Sequence, residues 1–227
     1  MNGTRGEQSG LVVAIDGPSG AGKGTIARAI ARQLGYRHVD TGAMYRAIAW
    51  LAGHDGIDLH DEDLIATLAS TADLDVNGTI HVNGHDVTIA IRTPEIDRAA
   101  AVVARHPAVR AALVRRQRDY GRDGGIVMEG RDIGSVVFPD ADIKIYLDAS
   151  PDERARRRAT DEAHAIGRGV TGLETIADAL AARDTLDRTR TVSPLTQAEG
   201  AVYIDTTGVP IADVVARVMA IVQSRLT

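Results

Sequence analysis

The chain has 227 residues, 44% of them hydrophobic, and no cysteine, which fits one domain with inserted lobes and excludes disulfides, thiolate catalysis and cysteine metal sites. Its net charge is −5, whereas holding nucleic acid by charge calls for a basic chain, so nucleic acid is not an expected partner. The opening ten residues are polar and lack a signal peptide's apolar stretch, and the apolar run at 11–15 is far short of the roughly 20 residues of a membrane helix, so a cytoplasmic chain with no membrane partner is expected.

Residues 1–9 read as a disordered tail. The run 11–16 is short, apolar and β-branched, closes on Gly-Pro, and predicts a buried strand. Over 24–34, Ile26, Ala27, Ile30, Ala31 and Leu34 share one helical face, and Gly35 ends the helix. A strand over 36–40 and a helix over 43–52 follow. Between 73 and 91, apolar and polar residues alternate around Asn77-Gly78 and Asn83-Gly84, the pattern of a three-stranded antiparallel meander. A helix over 99–120 carries a break near His106-Pro107. Strands are expected at 126–128, 143–147 and 201–204, and helices at 151–160, 175–188 and 211–226. The glycine-rich stretch 164–172 is expected to be mobile. With one Phe and one Trp, the core must be built of Ala, Val, Leu and Ile. Strands alternating with helices imply a parallel sheet covered on both faces.

The chemistry centres on Gly17-Pro18-Ser19-Gly20-Ala21-Gly22-Lys23-Gly24-Thr25, placed between a predicted strand and a predicted helix. Glycines let successive backbone N–H groups turn inward on phosphate oxygens, the helix start adds its positive dipole, and Lys23 supplies a mobile charge. The residue after the lysine, usually a hydroxyl that holds magnesium, is here Gly24. Mg²⁺ is therefore expected on the phosphates and water, steadied through water by Glu129, with no direct side-chain metal ligand. Asp40-Thr41-Gly42 with Tyr45-Arg46, and Glu129-Gly130-Arg131-Asp132, each follow a strand, and ligands of open α/β sheets lie beyond strand carboxyl ends. Arg183, Asp187 and Arg190 are spaced to share one helical face. Each arginine could equally be part of a solvated surface; beside a phosphate loop they read as an anion site.

Together these segments, with Ile91-Arg92-Thr93, the stretch 107–118, Val136 to Asp140, Leu147 to Ser150 and 183–195, make the chain resemble the bacterial cytidylate kinase family from Leu11 onward. The resemblance implies a P-loop three-layer core with a five-stranded parallel sheet, formed by 10–40, 104–150 and 183–227. It also implies a monophosphate-binding lobe inserted at 41–103 and a helical lid at 151–182. It implies ATP as donor, CMP and dCMP as acceptors, Mg²⁺, and a monomer. Lys23, Arg46, Arg131 and Arg190 would be the catalytic cations, the last three gripping the acceptor's phosphate. Arg183 and Asp187 would contact ribose, and Arg110 with Asp132 would read the cytosine edge. Thr41, Tyr45 and Arg92 would complete the acceptor site, and Arg154, Arg157 and Arg158 would begin the lid. Where some members carry a serine hydroxyl against the base, this chain has Ala101.

The alternatives are a P-loop kinase of a small acid or sugar and a GTP-dependent switch. The long hairpin insert argues against the first, and the absence of an Asn-Lys-x-Asp guanine reader against the second.

Overall fold

The computed structural model describes residues 10–161 and 172–226. The tail at 1–9 and most of the glycine-rich stretch 164–172 lie outside the described residues. Five parallel strands form the main sheet: β1 (Val12–Asp16), β2 (Arg37–Asp40), β6 (Ile126–Gly130), β7 (Ile143–Asp148) and β8 (Val202–Asp205), in the order β2-β6-β1-β7-β8. All five residues of β1 and of β6 are buried, as a strand covered on both faces must be. The register pairs Asp16 with both Gly130 and Tyr146, and Asp40 with Glu129. The carboxyl ends of β1, β2 and β6 therefore open along one edge.

Alternate residues serve opposite faces. Val13 and Ile15 pack with α1 (Lys23–Leu34) and α8 (Ile211–Leu226). Val12 and Ala14 pack with α2 (Thr41–His54) and α5 (Pro107–Tyr120), in an apolar cluster that continues to Val82, Val87 and Ile91. The helix boundaries follow from capping. Gly35 adopts φ 66° after α1, and the Tyr36 N–H returns to the Ala31 carbonyl at 2.8 Å. Asp40 caps α2 by accepting from the Ala43 N–H at 3.0 Å, so this helix begins two residues before the apolar spacing predicts.

The break expected near His106-Pro107 is present and divides the stretch into two helices, α4 (Pro94–Val103) and α5, each started by a proline in its first turn; α4 begins earlier than the expected start at 99. The meander is a three-stranded sheet, but β3 (Leu74–Asp75), β4 (His81–Val82) and β5 (His85–Asp86) are two residues each. Asn83 (φ 48°) and Gly84 (φ 80°) make its tight turn, while 90–92 coils into a 3-10 turn that the alternation did not foretell. Finally, α3 (Glu62–Thr71), capped by Asp61, packs on α5, and a π turn spans 133–137; neither was anticipated.

Helices α6 (Pro151–Thr160) and α7 (Leu173–Arg188) pack on each other. Leu113 on α5 is fully buried in the apolar cluster that α5 shares with α2 and α3. Leu113→Ala should cost about 2–5 kcal/mol in urea unfolding, as a buried leucine truncation does; a loss below about 1 kcal/mol would show that this region can collapse around the cavity.

Candidate active site

A cleft of about 470 Å³ lies beyond the carboxyl ends of β1, β2 and β6. It is lined from the phosphate loop by Ser19, Gly20, Gly22, Lys23, Gly24 and Thr25. All ten predicted acceptor residues line it too: Thr41, Tyr45, Arg46, Arg92, Arg110, Arg131, Asp132, Arg183, Asp187 and Arg190. Gly17, Pro18 and Ala21 shape the loop from behind. At Gly17 (φ 145°) a Cβ would lie 1.9 Å from the Leu147 carbonyl oxygen, so only glycine lets β1 turn into the loop.

Lys23 is buried and donates to the Pro18 carbonyl at 2.7 Å. Burial and the neighbouring charge of Arg131 push its ammonium down to about 7. Asp16, at the end of β1, is buried and accepts the N–H groups of Ile133 and Gly134, both at 2.8 Å. Burial pushes its carboxyl up to about 6. This carboxylate joins the start of the phosphate loop to the segment that carries Arg131 and Asp132.

Each acceptor-side arginine is held by the protein. Arg46 donates to Asp40 at 2.8 Å, and Gly42 leaves room for the pair, since a Cβ there would lie 3.0 Å from atoms of both. Although burial pushes the Asp40 carboxyl up, Arg46 and His38 hold it below the usual carboxylate range. Arg110 and Asp132 form a buried ion pair, and the guanidinium sits 5.6 Å from the centre of the Tyr45 ring. Burial pushes the Tyr45 phenol up to about 12, so it stays protonated. Arg131 Nε donates to Asp187 at 2.8 Å. Burial pushes Asp187 up, but Arg131, Arg190 and Arg183 outweigh it and keep the carboxyl low. Arg92 donates to the Thr88 carbonyl at 3.1 Å. Arg190 lies past the end of α7, not on it, yet its Nε still donates to the Asp187 carbonyl at 3.3 Å.

The three lid arginines separate. Arg157 and Arg158 line the cleft. Arg157 binds the Thr206 hydroxyl at 2.9 Å and its carbonyl at 2.6 Å. Arg154 does not line it; it is buried against Asp184 and the carbonyls of Ala149 and Ser19, where it braces the loop. Sequence reasoning did not single out Asp16, Asp97 or Thr206. Thr206 lies at the C-terminal end of β8 and marks the loop side of the cleft with Val209 and Ile211.

Several arginine nitrogens remain unsatisfied. Among the described residues, Arg46 Nε, Arg110 Nε, Arg183 Nε and Arg190 Nη2 are buried and have no hydrogen-bond partner. Buried donors without partners are costly, and a cluster of them around one cleft is what a site for anionic oxygens requires. For a metal, no group of three or more His, Cys, Asp or Glu is suitably placed among the described residues. A Cβ on Gly24 would lie 3.0 Å from Glu129 Oε1, so glycine here lets that carboxylate close on the helix start. The oxygens beside the loop, Glu129 and Thr25, suit Mg²⁺ carried chiefly by phosphates and water.

The cytidylate kinase family model matches residues 13–224. The chain belongs to the cytidylate kinase family. A cytidylate kinase of Solibacter usitatus is 48% identical, over 97% of this chain and 96% of its own length. One of a Geobacillus species is 44% identical, over 96% and 99% respectively. A solved structure of an uncharacterized protein from Eubacterium ventriosum shares the fold, with a TM-score of 0.51 at 10% identity, covering 94% of this chain and 99% of that one.

The lowered Lys23 gives this family member a proton-linked loop. Its ammonium costs stability below about pH 7, and the cost is relieved as pH rises toward 10.5, the ordinary value of a lysine. Polyphosphate in the loop should restore the charge. At pH 8, ATP binding should take up about one proton, read by calorimetry in buffers of different ionisation heat. Lys23→Gln should abolish the uptake; no uptake by the natural chain would show that Lys23 is already charged.

Proposed function

We propose that this cytidylate kinase family member transfers the γ-phosphoryl group of ATP to CMP and dCMP, giving ADP with CDP or dCDP. The four arginine nitrogens around the cleft that lack a hydrogen bond among the described residues carry this reading. A phosphate loop supplies the place for the donor's phosphates, and the arginine cluster supplies a second anion site facing it.

An oxygen of the acceptor's phosphate attacks the γ-phosphorus, and the bond to the β-γ bridging oxygen of ATP breaks, the electron pair leaving with ADP. The nucleophile is already anionic, so no side chain has to remove a proton. That frees Asp132 to orient Arg110 and meet the base's polar edge. Lys23, Arg46, Arg131 and Arg190 draw two anions together and stabilise charge as it spreads over the transferred group. Arg183 and Asp187 meet the sugar; Thr41, Tyr45 and Arg92 complete the acceptor's walls. Mg²⁺ would be held by ATP oxygens with Glu129 and Thr25 reaching it through water, and when bound it neutralises phosphate charge.

We assign 41–103 to the acceptor lobe and 151–182 to a lid that excludes water during transfer. No helix among the described residues is long and apolar enough to cross a membrane. We place the enzyme in the cytoplasm as a monomer.

An ADP-release assay across CMP, dCMP, UMP, dUMP, AMP and GMP with ATP and Mg²⁺ tests the assignment: CMP and dCMP should be the best acceptors, and equal or better turnover of a purine nucleotide would overturn it. Arg131→Ala should lower kcat by about 10²–10³-fold, as removal of a charge clamp does; full activity would remove Arg131 from its role. Ala101 lines the cleft, and Ala101→Ser places a hydroxyl there. The CMP-to-UMP ratio of kcat/KM should rise; an unchanged ratio would make the hydroxyl irrelevant.

A further inference from the structure

Asp97 belongs to none of the segments that define the cleft in the sequence. It sits in the first turn of α4, and its two oxygens engage two other helices. Oδ1 accepts from Arg183 Nη1 on α7 at 3.2 Å, and Oδ2 pairs with Arg158 on α6. All three side chains line the cleft. Helix α4 also packs on α2, which carries Tyr45 and Arg46. Asp97 thus joins the helices behind Arg46 to those that present Arg158 and Arg183.

Burial and the charges of Arg131 and Arg46 disfavour the Arg183 guanidinium, and Asp97 is the leading group that favours it. With Nη1 tied to Asp97, the guanidinium plane is fixed while Nε stays buried without a hydrogen-bond partner among the described residues. A donor held in that way is oriented before any ligand arrives, which limits the ordering cost of binding.

We propose that Asp97 is a positioning residue for the acceptor, setting Arg183 and Arg158 against the cleft and tying α4 to α6 and α7. The proposal rests on the acceptor reading given above. Its rival is local: an acidic side chain in a first turn stabilises its own helix through the dipole. Glu95 supplies the control, because it lies in the same turn, is exposed, and pairs only with Arg98 among the ion pairs of that turn, at 3.3 Å.

Steady-state kinetics separate the two. With the monophosphate that the acceptor panel selects, Asp97→Asn should raise the acceptor KM about tenfold, the scale of one lost charged hydrogen bond, with kcat and the ATP KM little changed. Asp97→Glu should recover part of the loss, and Glu95→Gln should match the natural chain. Asp97→Asn added to Arg183→Ala should cost little more than Arg183→Ala alone. An unchanged acceptor KM, parallel loss of kcat and both KM values with a lowered Tm, or multiplying effects of the two substitutions would each overturn the proposal. Asp97→Ser, which keeps a helix-start side chain, takes the place of Asp97→Asn if the latter does not fold.

A substrate-free measurement stands apart from the acceptor reading. The Nε–H resonance of Arg183 should be protected from exchange in the natural chain and lose protection in Asp97→Asn. Equal exchange in both would overturn the tether whatever the acceptor proves to be, whereas failure to use any pyrimidine monophosphate would overturn only the acceptor reading.

Discussion

The burial of cations beside one another is the constraint around which the cleft is built. Burial disfavours the charges of Lys23, Arg92, Arg183 and Arg190 most, and repulsion adds to it: Arg131 acts on Lys23 and Arg183, Arg46 on Arg92 and Arg183, and Arg110 on Arg190. Such a group would scatter into solvent unless each member were anchored. Aspartates supply the anchors: Asp40 for Arg46, Asp132 for Arg110, Asp187 for Arg131, and Asp97 for Arg158 and Arg183. A guanidinium suits this arrangement because it has five donors in a rigid plane, so one edge can be held while another stays available. A lysine in the same place would have one nitrogen for both tasks.

The sheet determines where those anchors stand. Asp40 ends β2, Asp132 follows the end of β6, and Asp16 ends β1 on the other side of β6. The Asp16 carboxylate grips the backbone at Ile133 and Gly134, so the turn that follows Arg131 and Asp132 is referenced to the same strand that launches the phosphate loop. Donor and acceptor sites are thereby fixed relative to one another by hydrogen bonds between adjacent strand ends. Gly130 contributes by omission, since a Cβ there would lie 2.7 Å from the Thr41 hydroxyl, which donates to the Glu129 carbonyl at 2.8 Å. The Thr41 and Ile133 side chains lie so close to this backbone that only glycine fits between them.

What the sequence makes legible is what acts over short distances along the chain. The phosphate loop is a contiguous strand-glycine-helix pattern, and the core strands other than β2 are largely apolar runs bounded by turn residues. Helix starts were misplaced where a polar cap, such as Asp40 or Thr93, precedes the apolar spacing, because periodicity registers buried residues and not caps. Helix α3 was missed because only Ile65 and Ala69 of it are buried, too few to show a stripe. The alternation at 85–91 overstated strand because Ile89 is exposed and the chain coils at 90–92. Asp97 was invisible for a different reason. Its partners are 61 and 86 residues away, and no local pattern encodes a contact between three helices that are separate in the chain.

The partnerless nitrogens also bear on how stability and binding are divided. Each buried donor that lacks an acceptor costs free energy in the empty protein, and so does a lysine ammonium buried beside an arginine. A core of Ala, Val, Leu and Ile packed on both faces of the sheet has to offset those costs before any ligand arrives. In the proposed reading, phosphate oxygens would supply the missing acceptors and favour the charge on Lys23. Ligand that binds only the folded chain stabilises it in proportion to RT ln(1 + [L]/Kd). Part of that affinity would then be the relief of an unfavourable arrangement that the fold maintains, and not only the formation of new contacts. The aspartate anchors limit this relief by keeping the cations nearly in place throughout, so less of the binding free energy is consumed in ordering them.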